Sequence, residues 1–150
     1  MKLPPIKNSF ILSVIGVLLF ATSCKVEPKP IAYGKEGCHF CSMTIVDQQH
    51  AAQIVTRKGK VFSFDAVECM VNYTKELDMD EVQLLLCNHY LEPEVLIDAT
   101  KATFLISEQI PSPMGAFLTG FDTRNAAEEI LGANEGELLT WEELVQHFNK

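Results

Sequence analysis

The sequence lacks the motifs that mark several common enzyme classes. It has no phosphate-binding glycine loop, no Ser-His-Asp order and no paired acidic site. Ser42 stands where a covalent c-type haem site, Cys-x-x-Cys-His, requires histidine. Basic side chains are also scarce, since 12 Lys and Arg residues face 20 Asp and Glu residues and leave a net charge of −8. We therefore expect neither an enzyme nor a nucleic-acid-binding protein.

The chain also has no apolar run of membrane-spanning length. Its N-terminal apolar run, residues 10–20, falls short of the roughly 20 residues that a transmembrane helix needs. The run follows Lys2 and Lys7 and leads into the small residues of "ATSC", an order typical of a secretory signal. A cysteine at that point predicts a bacterial lipoprotein, whose signal is removed and whose Cys24 carries lipid. We expect the mature protein to be anchored to a membrane and to face the periplasm.

The part of the chain after His50 contains two similar runs of predicted elements. In the first run, "AAQIVT" and "VFSF" flank a turn in which Gly59 supplies the backbone freedom of a tight hairpin. A helix is predicted to begin at Asp65, because Asp65 and Glu68 have the spacing of a capping box. The apolar run "EVQLLLCNHY" then predicts a strand, which completes a ββαβ order.

The second run starts at Glu94 and repeats this order with different residues. Two strand segments are predicted in "EVLIDATKATFLIS", then a helix capped by Asp122 or Thr123, and then a strand in "GELLT". A terminal helix follows, with Thr140 and Glu143 at capping-box spacing. We predict an α+β fold of two similar ββαβ units packed together, plus a C-terminal helix. The predicted segments are a signal peptide at 1–23, a lipidated cysteine with a flexible tether at 24–37, and a domain at 38–150 with units at about 38–92 and 93–150.

Sulfur is concentrated just before the first unit. Cys38, Cys41 and Met43 fall within a few residues of one another, and the predicted helix adds Cys69 and Met70. In an oxidising compartment the cysteines could pair as disulfides, but a disulfide has no use for the two thioethers beside them. A thiol near a helix start is expected to have a lowered pKa and to bind metal as thiolate. The two loop cysteines and Cys69 therefore predict a three-thiol metal site.

Two metals fit this set of side chains. Zinc prefers four ligands from Cys, His and carboxylates, and His39 could complete a set with the three thiols. Reduced copper takes two or three soft ligands, and a thioether is useful to it. Met43 and Met70 therefore favour Cu(I). Cys87 lies in a predicted buried strand and is assigned to the hydrophobic core instead.

From about Gly37 to the C-terminus, the sequence resembles the NosL family. The similarity is carried by "CHFCSMTI", by the hairpin and helix around "FSFDAVECM", by "LIDATKATFLI", and by "PMGAF" with the segments that follow it. The family's Cys-x-x-Cys-Gly-Met pattern maps onto the loop that ends in Met43, with Ser42 in place of glycine. Its Met-Gly segment maps onto Met114 and Gly115.

This resemblance implies a function and a set of partners. NosL proteins are lipoproteins that serve as copper chaperones for nitrous-oxide reductase. The resemblance therefore implies a membrane-anchored Cu(I) carrier that delivers copper by ligand exchange to that enzyme, or to a related copper enzyme, together with its membrane assembly machinery. It also makes Met114 a candidate ligand from the second unit. The predicted ligands are Cys38, Cys41, Met43, Cys69, Met70 and Met114.

Two other functions remain open from the residues alone. In the first, Cys38, Cys41, Cys69 and His39 hold zinc in a structural domain that acts as an envelope interaction module. In the second, the cysteines form disulfides and staple a binding domain that holds no metal.

Overall fold

The computed structural model describes residues 25–149. The predicted signal peptide and the predicted lipid site at Cys24 lie outside these residues. Within residues 25–149, no helix combines the length and the apolar character needed to cross a membrane.

Seven strands and three α-helices follow one another along the described chain, with a short 3₁₀ turn at Met79–Glu81. The first four strands and the first helix precede residue 100, and the other three strands and two helices follow it. In chain order the elements are β1 (Ala52–Thr56), β2 (Val61–Phe64), α1 (Val67–Thr74), β3 (Val82–His89), β4 (Glu92–Asp98), β5 (Thr103–Ile106), β6 (Leu118–Phe121), α2 (Arg124–Gly132), β7 (Glu137–Leu139) and α3 (Trp141–Phe148).

These strands form two antiparallel sheets. The first sheet has the order β2-β1-β3-β4, and the second has the order β6-β5-β7. In both sheets the first strand of the unit lies in the middle, its hairpin partner lies on one side, and the strand that follows the helix lies on the other. The α+β prediction and the repeated ββαβ order are therefore confirmed.

One strand lies in a different sheet from the one we expected. We placed the second unit at 93–150, so that residues 94–98 would open it, but β4 pairs with β3 in the first sheet, with Cys87 opposite Ile97. Only two residues separate β3 from β4, and strands joined by so short a connection pair as a hairpin. The second ββαβ unit begins at β5, and β4 extends the first sheet.

The segment predicted as a flexible tether is folded against the first sheet from Lys29 onward. The fully buried Gln53 accepts a hydrogen bond from the Lys29 backbone N–H (3.0 Å) and donates one to the Lys29 carbonyl oxygen (3.0 Å). The Tyr33 hydroxyl donates to Asn88 Oδ1 (3.1 Å). A polar composition did not reveal this docking because the hydrogen bonds at Lys29 are made by its backbone groups.

The main hydrophobic core lies between the two units and holds them together. Phe64 of β2, Phe104 of β5 and Leu144 of α3 all belong to one buried cluster. Successive residues of β5 point to opposite faces, so Leu105 packs into a second, smaller cluster under α2. The two sheets therefore share one core, and the start of α1 contributes Val67, Cys69 and Met70 to it.

Candidate metal centre

Three cysteine sulfur atoms converge at the edge of the first unit. The Sγ atoms of Cys38, Cys41 and Cys69 all lie within 4.8 Å of one another. Cys38 and Cys69 are buried, Cys41 is half-buried, and none of the three is in a disulfide. In residues 25–149, no other set of three or more His, Cys, Asp and Glu side chains is arranged to hold a metal ion. The predicted convergence of the loop with the helix start is confirmed.

A short, tightly bonded loop presents Cys38 and Cys41. Gly37 and Thr44 form an isolated antiparallel bridge, and the Cys38 N–H donates to the Met43 carbonyl oxygen (2.7 Å). Ser42 has a φ of 65°, in the left-handed region that favours glycine. This conformation explains why a glycine suits the position in the Cys-x-x-Cys-Gly-Met pattern.

Backbone pairing also fixes this loop against β2. The His39 N–H donates to the Ser63 carbonyl oxygen (2.9 Å), one residue before the end of the strand. The chain passes from that point directly into α1, so the loop and the helix start lie side by side. A turn that is paired internally and to a strand holds its thiols in place before any metal arrives.

The start of α1 differs from the predicted capping box. The helix begins at Val67 with Ala66 as its N-cap, and no side chain makes a capping hydrogen bond there. The prediction that Asp65 and Glu68 form a capping box is therefore wrong. Cys69 consequently lies in the first turn of the helix, and its N–H donates to the Ala66 carbonyl oxygen (3.1 Å).

The three cysteine thiols have different pKa values. A hydrogen bond from the Cys69 thiol, helped by the Cys41 and Asp65 backbone N–H groups, lowers the pKa of Cys38 to about 4 against the opposing effect of burial. The same hydrogen bond, together with burial, raises the pKa of Cys69. Burial also raises the pKa of Cys41. In the metal-free cluster Cys38 is therefore the most acidic of the three thiols.

The lowered pKa lies on a different cysteine from the one we expected. The sequence assigned it to Cys69 because of the nearby helix start, whereas the structure assigns it to Cys38. In the structure the Cys69 thiol donates a hydrogen bond to the Cys38 sulfur. This hydrogen bond raises the pKa of Cys69 by more than the nearby helix start lowers it.

The three methionines predicted as ligands occupy different environments. Met43, two residues after Cys41, has 51% of its surface exposed, and Met114 has 40% exposed. Met70 is fully buried in the main hydrophobic cluster, which also contains Cys38 and Cys69. The structure thus brings the three cysteines together, and the ligand roles of the three methionines remain predictions.

One residue near the cluster was not predicted to contribute to it. Glu68, next to Cys69, is buried and accepts hydrogen bonds from Ser112 and Ala116 on either side of Met114. The sequence signal was a glutamate in the first turn of a helix that is otherwise apolar at its start. We interpreted that glutamate as part of a capping box, since a single sequence does not reveal a contact 44 residues away.

The other side chains considered for the site lie elsewhere. The His39 ring packs on Phe62 (4.6 Å between centroids) and Tyr73 (5.0 Å) and is not part of the three-sulfur group. Cys87 is fully buried between the sheets, where burial raises its pKa to about 12. A Cβ atom placed on Gly120 of β6 would lie 3.0 Å from the Cys87 sulfur. Cys87 is therefore a core residue, as the sequence indicated.

Comparisons with known proteins identify the family of this chain. The sequence model of the NosL family matches residues 30–148. The copper-binding lipoprotein NosL of Stutzerimonas stutzeri is 26% identical over 127 residues, which cover 79% of this chain and 67% of that protein. The crystal structure of the copper chaperone NosL from Shewanella denitrificans has the same fold, with a TM-score of 0.68 and 19% identity over 79% of this chain and 96% of that one. From the family match across most of its length, this chain is a member of the NosL family.

Proposed function

We propose that this protein carries Cu(I) in the cell envelope and delivers it to a copper enzyme. The observation that carries the proposal is the convergence of three cysteine sulfur atoms within 4.8 Å of one another, with Met43 exposed beside them. Its similarity to a copper-binding lipoprotein and, in fold, to a copper chaperone supports the same cargo.

The chemistry of the donor atoms favours Cu(I) over zinc. Within residues 25–149, no His, Cys, Asp or Glu side chain adds a fourth atom to the three sulfurs. Structural zinc sites are almost always closed by four such ligands, whereas Cu(I) is well satisfied by thiolates and a thioether. We propose that Cys38, Cys41, Cys69, Met43 and, from the second unit, Met114 supply the ligands, of which three or four hold the ion at any one time.

Unequal burial of the three thiols suggests how the cargo is released. Cys38 and Cys69 are buried, while Cys41 is half-buried and Met43 is exposed. A soft ligand of a partner protein would approach from the side of Cys41 and Met43 and replace them one at a time. Each thiol that binds copper first loses its proton, and it recovers a proton when copper leaves. The thiolate at Cys38 is the first anchor for the ion.

We further propose that Cys24 is lipidated and that the domain faces the periplasm. The client enzyme is nitrous-oxide reductase or a related copper enzyme, reached together with its membrane assembly machinery. The net charge of −8 suits a partner with a basic docking surface, because opposite charges speed the encounter of two proteins.

An anaerobic Cu(I) titration against a competing chelator tests the cargo. Met79 is a matched control for Met43, since the two side chains are similarly exposed, at 46% and 51%, and Met79 lies in the 3₁₀ turn, outside the loop and the helix turn that carry the thiols. We expect one Cu(I) per chain, weaker binding in Met43→Ala and unchanged binding in Met79→Ala. Zinc bound more tightly than Cu(I), with no effect of Met43→Ala, would instead support the structural zinc module.

A transfer assay tests the delivery. Copper-loaded protein is mixed with metal-free nitrous-oxide reductase, and copper in the enzyme is measured after the two are separated. We expect transfer that is faster than from a Cu(I)-chelator complex of the same affinity, because ligand exchange proceeds inside a docked complex. Equal rates from the protein and the chelator would show that this enzyme takes copper from solution and is not the client.

A further inference from the structure

Glu68 is a buried carboxylate that lies in the same helix turn as Cys69 and joins the two units. It lies on α1 immediately before Cys69 and is only 3% exposed. Its Oε1 atom accepts hydrogen bonds from the Ser112 hydroxyl (2.7 Å) and the Ala116 backbone N–H (3.4 Å). Its Oε2 atom is buried without a partner. Among residues 25–149, no lysine, arginine or histidine forms an ion pair with it.

The two hydrogen-bond donors lie on either side of Met114. One oxygen atom of Glu68 therefore holds both ends of the segment 112–116, and Met114 lies at its centre with 40% of its surface exposed. The segment is a turn, because the Gly115 N–H donates to the Ser112 carbonyl oxygen (3.0 Å).

Phe117, which directly follows this turn, has an unfavourable backbone conformation. Gly115 has a φ of 75° and Phe117 a φ of 58°, both in the left-handed region, which glycine adopts freely but which Phe117 adopts at a cost because it has a Cβ atom. These two residues enclose Ala116, whose N–H points to Glu68. Such a conformation persists only where contacts with the surrounding structure hold it, and Glu68 supplies two of them.

We propose that Glu68 is a positioning residue that holds the Met114 turn against the three-thiol site. A buried carboxylate with only two neutral donors and one unpaired oxygen is unfavourable for stability alone, which points to a role in arranging the site. Through Glu68, the helix turn that carries Cys69 is bonded directly to the turn that carries Met114. The inference rests on the proposed Cu(I) function, and it makes the second unit part of the site.

A double-mutant cycle on Cu(I) affinity tests this role. We expect Glu68→Ala and Met114→Ala each to weaken Cu(I) binding about 10-fold, the lower end of the range for an outer partner of a metal site. Because Glu68 acts through Met114, the double variant should bind no more weakly than Met114→Ala. Glu68→Gln keeps an oxygen that accepts from Ser112 and should bind within about 2-fold of the unsubstituted protein.

Controls separate this role from a general loss of stability. Ile54→Val removes a fully buried methyl group from β1, so it lowers the unfolding temperature without touching the Met114 turn. It should leave Cu(I) affinity unchanged. Additive losses in the double variant, or an equal loss of affinity in Ile54→Val, would overturn the inference and leave the proposed function intact. Failure of the unsubstituted protein to bind Cu(I) would overturn both.

Methyl NMR of the methionines gives a readout independent of affinity. With ¹³C-labelled methionine methyl groups, Cu(I) should shift the Met114 signal of the unsubstituted protein and leave the Met79 signal in place. In Glu68→Ala protein saturated with Cu(I), the Met114 shift should be lost while the Met43 shift remains. A Met114 signal that responds to Cu(I) equally with and without Glu68 would contradict the positioning role.

Discussion

The two helices that follow the two hairpins begin in the same sequence context and are completed in different ways. In each unit a strand ends at a phenylalanine, an aspartate follows it, and the next residue is the helix N-cap. In the second unit that residue is Thr123, whose hydroxyl accepts a hydrogen bond from the Ala126 N–H (3.3 Å). In the first unit it is Ala66, which has no side chain able to cap.

Under the proposed function, this difference adapts one scaffold to stability in one unit and to metal binding in the other. The capped helix α2 carries Ala126 three residues after its cap, where the uncapped helix α1 carries Cys69. In the first unit the backbone N–H of Asp65, one residue before the N-cap, helps to lower the pKa of the Cys38 thiol. A negative sulfur near a helix start is stabilised as a capping oxygen would be.

Cys69→Ala tests the comparison most severely, because it makes α1 resemble α2 at the equivalent position. We expect the Cu(I) affinity of the variant to fall about 100-fold or more, since losing a thiolate ligand should exceed the loss of a neutral thioether or of an outer partner. The measurement is chelator competition under reducing, anaerobic conditions. Cys87→Ala removes a thiol between the sheets and should leave the affinity unchanged. Equal losses in the two variants would show that the effect comes from a weakened fold.

The pH dependence of the metal-free protein tests the thiolate. Because the pKa of Cys38 is lowered to about 4, the thiolate absorbance of one cysteine should persist at neutral pH and disappear as the pH falls through about 4. The unfolded chain binds a proton at Cys38 below its ordinary pKa of 9.0, so stability should rise with pH between these two values. Cys38→Ser should lack both effects. Thiolate absorbance that appears only near pH 9 would contradict this assignment.

Thr123→Ala removes the cap from α2 and makes the second unit resemble the first. We expect the free energy of unfolding to fall by about 1 kcal/mol, which is typical for loss of an N-cap side chain. Urea unfolding measures this change. Cu(I) affinity should not change, because Thr123 lies in the unit that carries no thiol of the cluster. Weaker copper binding would mean that the two helix starts do not act independently.

Ser42→Gly gives the smallest expected effect and compares the two turns that carry predicted methionine ligands. The turn of the second unit places Gly115 in the left-handed region after Met114, whereas the first unit places Ser42 there before Met43. Glycine should relieve the strain at residue 42, although it also raises the entropy of the unfolded chain. We expect a net rise of about 0.5 kcal/mol in the free energy of unfolding. Ser42→Val should lower it by about 1 kcal/mol. A destabilising Ser42→Gly in urea unfolding would contradict this account.

Local signals in the sequence were sufficient for most of the fold. Gly59 predicted the first hairpin and has a φ of 78°. Thr140 and Glu143 predicted a capping box, and both of its hydrogen bonds are present. These features depend on residues a few positions apart, so a single sequence contains them.

Features that depend on distant contacts were not predictable. β4 pairs with the first sheet through backbone groups. Lys29 also uses its backbone groups when it docks on the Gln53 side chain. Since any residue carries these groups, the sequence does not mark either contact. In the candidate site, the meeting of Cys69 with the loop thiols was predicted from the chain order. Two features of the site are visible only in the folded structure. They are the hydrogen bond between the Cys69 and Cys38 thiols and the hydrogen bonds of Glu68 to the second unit.

Copper X-ray absorption of the complex with one Cu(I) per chain tests the central claim most directly. We predict that all nearest neighbours of the ion are sulfur atoms, three or four in number, and that Cys41→Ser protein loses one of them. Histidine-type nitrogen neighbours in the unsubstituted protein, or a sulfur count unchanged by Cys41→Ser, would contradict the assignment of the copper site to Cys38, Cys41 and Cys69.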